Sequence, residues 1–199
     1  GFNMINKKVK VPFRKLKHIH HISDIQIRNL KRHKEYNEVF ERTYEEIRKN
    51  KDNSVVYIGG DIAHSKTDMS PELIQMLSDL FVNLADICPT ILIAGNHDCN
   101  LNNLNRMDCL TPIVDNLNHP NLHYLKRTGV YTCADTDIIA WDVWDKEKDY
   151  IKFIEKNKMN QNIALLSLKC APSIYCDRFS INHDPHSDAH IMVVRMMIK

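Results

Sequence analysis

The chain has 199 residues, of which 43% are hydrophobic and 26% charged, enough for one soluble domain with a sizeable core. The 27 Lys and Arg nearly balance the 25 Asp and Glu, so the net charge of +2 excludes polyanion binding by overall charge and leaves it to a local patch. The nearest such patch is Lys7, Lys8, Lys10, Arg14, Lys15 and Lys17, which reads first as a solvated tail or edge and second as a phosphate contact.

In chain order, Leu16 to Ile22 is the first predicted strand and ends at Ser23-Asp24-Ile25-Gln26. From Lys34 to Lys49 the period becomes helical, with Tyr36, Val39, Phe40, Thr43, Tyr44 and Ile47 on one face. Val55 to Ile58 is a β-branched and aromatic strand closed by Gly59-Gly60. Ser70-Pro71 is a helix start, serine as N-cap and proline at the first helical position. Leu73, Ile74, Leu77, Leu80, Phe81 and Leu84 form its predicted stripe, and Cys88-Pro89 ends it. Thr90 to Ala94 is the third strand. Alternating strands and helices with right-handed crossovers predict three parallel strands.

Leu110, Ile113, Val114 and Leu117 suggest a further helix. Leu122–Leu125, Val130–Cys133 and Ile138–Trp141 read as antiparallel strands of a second sheet or a sheet edge. Glu147 to Lys156 reads as a helix and Asn162 to Leu168 as an apolar strand, while Ile191 to Ile198 is open between a terminal strand and an irregular segment. The chain divides into a basic segment (1–16), a principal domain (17–170) and a divergent or truncated C-terminal segment (171–199). The six cysteines contain no CxxC pair, which argues against a zinc knuckle. No apolar run is long enough to span a bilayer and no leader is evident, so the expected setting is an intracellular, reducing compartment without a membrane partner.

Three junctions carry the chemistry. Asp24, Asp61 and Asn96 each follow an apolar strand, and parallel strands would bring them to one sheet edge. Carboxylates supply hard anionic oxygens and an Asn carbonyl a neutral one, a donor set suited to a pair of divalent cations. His97, next to Asn96 in sequence, is a candidate to donate a proton to, or to stabilise, the phosphate or leaving oxygen.

Asp24-x-Gln26, Gly60-Asp61-x-x-His64 and Gly95-Asn96-His97-Asp98 resemble the first three motifs of the calcineurin-like metallophosphoesterases. His21-Ile22-Ser23-Asp24-Ile25 followed by Arg28-Asn29 resembles the Mre11/SbcD nuclease branch, including its viral and phage members. The resemblance covers residues 17 to 125 and fades beyond. It implies a four-layer α/β sandwich of two mixed β-sheets flanked by helices. It implies that Asp24 and Gln26 bind the first metal, that Asp61 bridges both and that Asn96 binds the second. His97 would be the catalytic histidine, oriented by Asp98, with His64 behind the ligands. Two manganese ions, DNA as substrate, a Rad50/SbcC-like ATPase, a homodimer, and host cytoplasm or nucleus for a viral protein follow from the same resemblance.

The sequence departs from that family in three places. Gln26 stands where a histidine is usual, which predicts a looser first metal. Lys169 and Cys170 follow the Asn162–Leu168 strand where a histidine ligand is expected. No Gly-His-x-His occurs, and His183, His186 and His190 are candidate replacements with different spacing. Two other readings therefore stand beside the nuclease: a phosphatase or phosphodiesterase for small molecules or phosphoproteins, and a weakened homologue that binds without cutting. Trp141 reads as core in preference to a base-stacking residue and Trp144 is undecided between the two, while Asp135, Asp137, Asp142 and Asp145 read as a solvated acidic loop in preference to a calcium site.

Overall fold

The computed structural model describes residues 5–23, 25, 33–59, 70–93, 110–126, 129–140, 162–165, 174–182 and 189–198. Its strands are β1 (Ile5–Val9), β2 (His18–Ser23), β3 (Ser54–Gly59), β4 (Thr90–Ile93), β5 (Leu122–Leu125), β6 (Gly129–Cys133), β7 (Thr136–Ala140), β8 (Asn162–Leu165), β9 (Ile174–Asn182) and β10 (His190–Ile198). Its helices are α1 (His33–Arg48), α2 (Pro71–Ile87) and α3 (Thr111–Leu117).

Ten described strands form two mixed sheets. The larger has the order β5-β4-β3-β2-β10-β9 and the smaller β1-β6-β7-β8. β2, β3, β4 and β5 are mutually parallel, each one step further across the sheet. The helices between them pack on one face, as right-handed crossovers require. β10 then runs antiparallel on the other side of β2, and β9 antiparallel to β10.

Side-chain alternation along each strand builds two cores. Val56, Ile58, Leu92, Ile191 and Val193 meet the helices. Val55, Tyr57 and Ile91 point the other way and join Val9, Tyr131, Cys133 and Ile138 between the sheets. A sheet buried on both faces reads as continuous apolar runs, as β3 and β4 do.

α1 buries the expected stripe of Tyr36, Val39, Phe40, Thr43, Tyr44 and Ile47. At α2, Ser70 Oγ accepts from the Leu73 N–H at 3.1 Å, confirming the cap. The predicted α2 stripe needs one correction. Ile74 is 40% exposed, and Met76 and Ala85 are buried in its stead. Ile74 lies beside Leu73 in sequence, about 100° around the helix, and falls off the edge of the stripe.

Leu122–Leu125 also differs from expectation. It is β5, parallel to β4 in the larger sheet, while the antiparallel pair is β6 and β7 alone. The short strand buries only its two ends, so it offers no alternation to read. Ile5–Val9 and Ile174–Asn182, where no strand is expected above, are β1 and β9. Ile191–Ile198 proves to be strand, within β10. The predicted helix at Glu147–Lys156 and the residues Trp141, Trp144, Asp142 and Asp145 lie outside the described residues.

Two acidic residues read as solvated loop instead hold the fold. Asp137 is 3% exposed and its carboxylate accepts from Thr132 Oγ1 at 2.9 Å. Asp135 accepts from the Leu16 backbone N–H at 2.9 Å, tying the β6–β7 turn to the approach to β2.

Candidate functional site

The geometry of the site is set by register. Ile22 is opposite Ile58, and Ile58 opposite Leu92, so β2, β3 and β4 end in nearly one row. Adjacent strands stand about 4.8 Å apart. In sequence, Asp24 directly follows Ser23, Asp61 comes two residues after Gly59, and Asn96 three after Ile93. Parallel pairing thus gathers the three strand ends that precede the three motifs, as the sequence required.

β10 adds a fourth element to this edge. It runs antiparallel to β2 with Met192 opposite Ser23, so His190, the first residue of β10, heads the strand where β2 ends. His190 is half-buried and pairs with Asn182 of β9. Asp24, Gln26, Asp61, His64, Asn96, His97, Asp98, His183 and His186 lie outside the described residues. Among the described residues no group of three or more His, Cys, Asp or Glu could hold a metal ion. A metal centre in this fold would be built from residues that follow the strand ends in sequence. Two carboxylates, two amides and an imidazole following adjacent strands are a donor set that fits divalent cations.

Residues 17–181 match the calcineurin-like phosphoesterase family. The chain belongs to this family. Calcineurin-like phosphoesterases use divalent metal ions to hydrolyse phosphoesters, and the two-sheet architecture accords with that fold. A relative is uncharacterized protein R555 of Acanthamoeba polyphaga mimivirus, 51% identical over 119 residues. The match takes in 58% of this chain and 9% of the mimivirus protein, so the chain spans a small part of that relative's length.

Other titratable groups of this phosphoesterase domain have structural environments. His20 is fully buried on the helix-covered face of β2 and its Nε2 meets the Asn50 carbonyl at 3.0 Å. Burial, opposed in part by that hydrogen bond, brings its pKa down to about 4, so the ring is neutral and Nε2–H donates. His21 is buried between the sheets, its ring 4.6 Å from that of Tyr57. Burial pushes Tyr57 far above the ordinary phenol value. Cys88 and Cys133 are free and buried, with thiols raised to about 12 by desolvation, which excludes them as nucleophiles at neutral pH.

Sequence reasoning had no strong ground for placing His190 at the site edge, because its spacing follows no family motif. The signal that could have found it was the alternation of Ile191 and Val193, both buried, immediately after it. β8, the strand resembling one that ends in a ligand histidine, belongs to the smaller sheet beside β7.

Proposed function

We propose that the domain is the metal-dependent nuclease part of a recombination or repair enzyme, hydrolysing DNA phosphodiesters at strand ends. The observation that carries the reading is the shared edge of β2, β3 and β4, immediately before Asp24, Gly60-Asp61 and Gly95-Asn96-His97-Asp98. Asp24 and Gln26 would hold one cation, Asp61 both, and Asn96 the second, with His190 at the neighbouring strand and His183 and His186 shortly before it in sequence. Bound divalent cations, manganese in this reading, supply charge neutralisation at the phosphoryl oxygens and an activated water. His97 donates a proton to the leaving oxygen, and Asp98 keeps its ring in the donating orientation. His64 supports the ligands from behind. A Rad50/SbcC-like ATPase, self-association as a homodimer and a reducing intracellular location belong to the same proposal. Support for the last is that Cys88 and Cys133 are free and buried.

A second reading is a weakened homologue that binds without cutting, favoured by Gln26 and Lys169 at positions where histidines are usual. Cleavage of duplex DNA ends in manganese, against a small aryl phosphodiester as comparison substrate, separates these. The nuclease reading expects DNA cleavage that chelation abolishes, that Asp61→Asn removes, and that His97→Ala lowers by roughly 10²–10⁴-fold. Hydrolysis of the small diester without DNA cleavage moves the substrate to the phosphodiesterase alternative. A folded protein that binds fewer than two metals and cleaves neither substrate is the weakened homologue.

A further inference from the structure

β1 is an edge strand of the smaller sheet and β5 an edge strand of the larger one. Residues of both line a cleft of about 340 Å³, at the low end of the roughly 300–1,000 Å³ usual for binding pockets. Lys7 and Lys8 line it from β1, and Lys126 from the residue after β5. None of the described residues lining it is a carboxylate. The described lining is thus positive without a described counter-charge, and a negative group entering the cleft is favoured over a positive one.

Two further features prepare the cleft for a polar guest. His123 lines it, and its Nε2 is buried with no hydrogen-bond partner among the described residues. A buried polar atom left unpaired costs stability that a ligand can recover. Lys126 Nζ stands 5.4 Å from the centre of the Tyr124 ring, a cation–π contact that holds the ammonium at the wall. Register then connects the cleft to the edge described above. Leu125 pairs with Ile93 and Ile93 with Gly59, so Lys126 follows its strand at the edge where Asp24, Asp61 and Asn96 follow theirs.

We propose that this cleft binds the phosphate backbone of one nucleic-acid strand and leads it to the sheet edge. A cleft of this size holds one backbone and not the full width of a duplex. That the bound strand is also the substrate rests on the nuclease reading; its binding does not. Backbone binding of this kind is insensitive to base sequence and steeply dependent on salt.

The test is fluorescence anisotropy of a labelled oligothymidylate titrated with the protein in chelator, where nothing is cleaved. Lys7→Gln/Lys8→Gln/Lys126→Gln should weaken binding at least roughly tenfold and make the slope of log affinity against log salt shallower by roughly 2. Lys34→Gln/Lys49→Gln/Lys51→Gln removes the same charge from exposed positions elsewhere and should preserve both. Unchanged binding in the cleft variant, or equal loss in both, overturns the proposal. If the triple variant does not fold, Lys126→Gln alone should make the slope shallower by roughly 0.7, and an unchanged slope overturns the proposal in the same way. DNA cleavage with no effect of the cleft variants sinks the cleft and spares the nuclease reading. Oligonucleotide binding through the cleft without cleavage does the reverse.

Discussion

His20 shows how a single side chain can make this fold pH-sensitive away from any catalytic role. Its ring is buried on β2 and donates to the Asn50 carbonyl, with a pKa of about 4 against 6.5 for an ordinary histidine. Between those values the unfolded chain binds a proton that the native chain does not. Stability is therefore complete above about pH 6.5 and falls as pH drops toward 4, by at most about 3 kcal/mol at 1.36 kcal/mol per unit. Urea midpoints measured across this range should decline with acidity, and His20→Phe should flatten the curve. A slope unchanged in His20→Phe would assign the acid sensitivity to other groups. The buried thiols make a second prediction at this scale. Cys88 and Cys133 should react with a thiol reagent at pH 8 only as fast as the domain opens, and quickly in denaturant. Rapid labelling of either in the native protein contradicts that burial.

At the scale of elements, α1 and α2 differ in how openly the sequence declares them. All six stripe residues read from the α1 sequence are buried, because charged residues mark both borders of the stripe. α2 is apolar over a wider arc, so period alone did not separate Ile74 from Leu73 and Leu77. Leu77 is fully buried and Ile74 is exposed. Leu77→Ala should cost about 2–5 kcal/mol in chemical denaturation, whereas Ile74→Lys should stay within about 0.5 kcal/mol. Ser70→Ala removes the acceptor for the Leu73 N–H and should cost about 1 kcal/mol. Equal losses for Ile74 and Leu77 would mean that α2 packs by a different face.

For the molecule as a whole, the C-terminal strands are part of the principal core. β10 separates β2 from β9, buries Ile191 and Val193 under the helices, and reaches α1 through Arg195, whose guanidinium donates to Glu46 at 2.8 Å. A chain cut after residue 170 loses both strands, exposes the edge of β2 and opens the core beneath α1. Its thermal transition should lose cooperativity, with the protein recovered mainly as aggregate. A soluble, cooperatively folding truncation would show that residues 171–199 are an appendage.

The three junctions, the first two helices and the parallel strands β2, β3 and β4 were legible in the sequence, since each is specified locally: period, cap, proline stop, and a polar motif after an apolar run. β1, β5 and β9 were hidden or misplaced. Ile5-Asn6-Lys7-Lys8-Val9 is polar enough to pass for a loop until a neighbouring strand takes up its backbone groups, Ile174–Asn182 has its apolar residues interrupted by Asp177-Arg178, and β5 is too short to show which sheet it joins. Motif spelling alone assigned Asp24, Asp61, Asn96 and His97 to a metallophosphoesterase. Only the tertiary structure decided that β10 lies against β2 and brings His190 to the end of that strand, and that two edge strands from different sheets gather Lys7, Lys8 and Lys126. Those residues are far apart in the chain, and strand pairing across the sheet, which no local pattern encodes, is what brings them together.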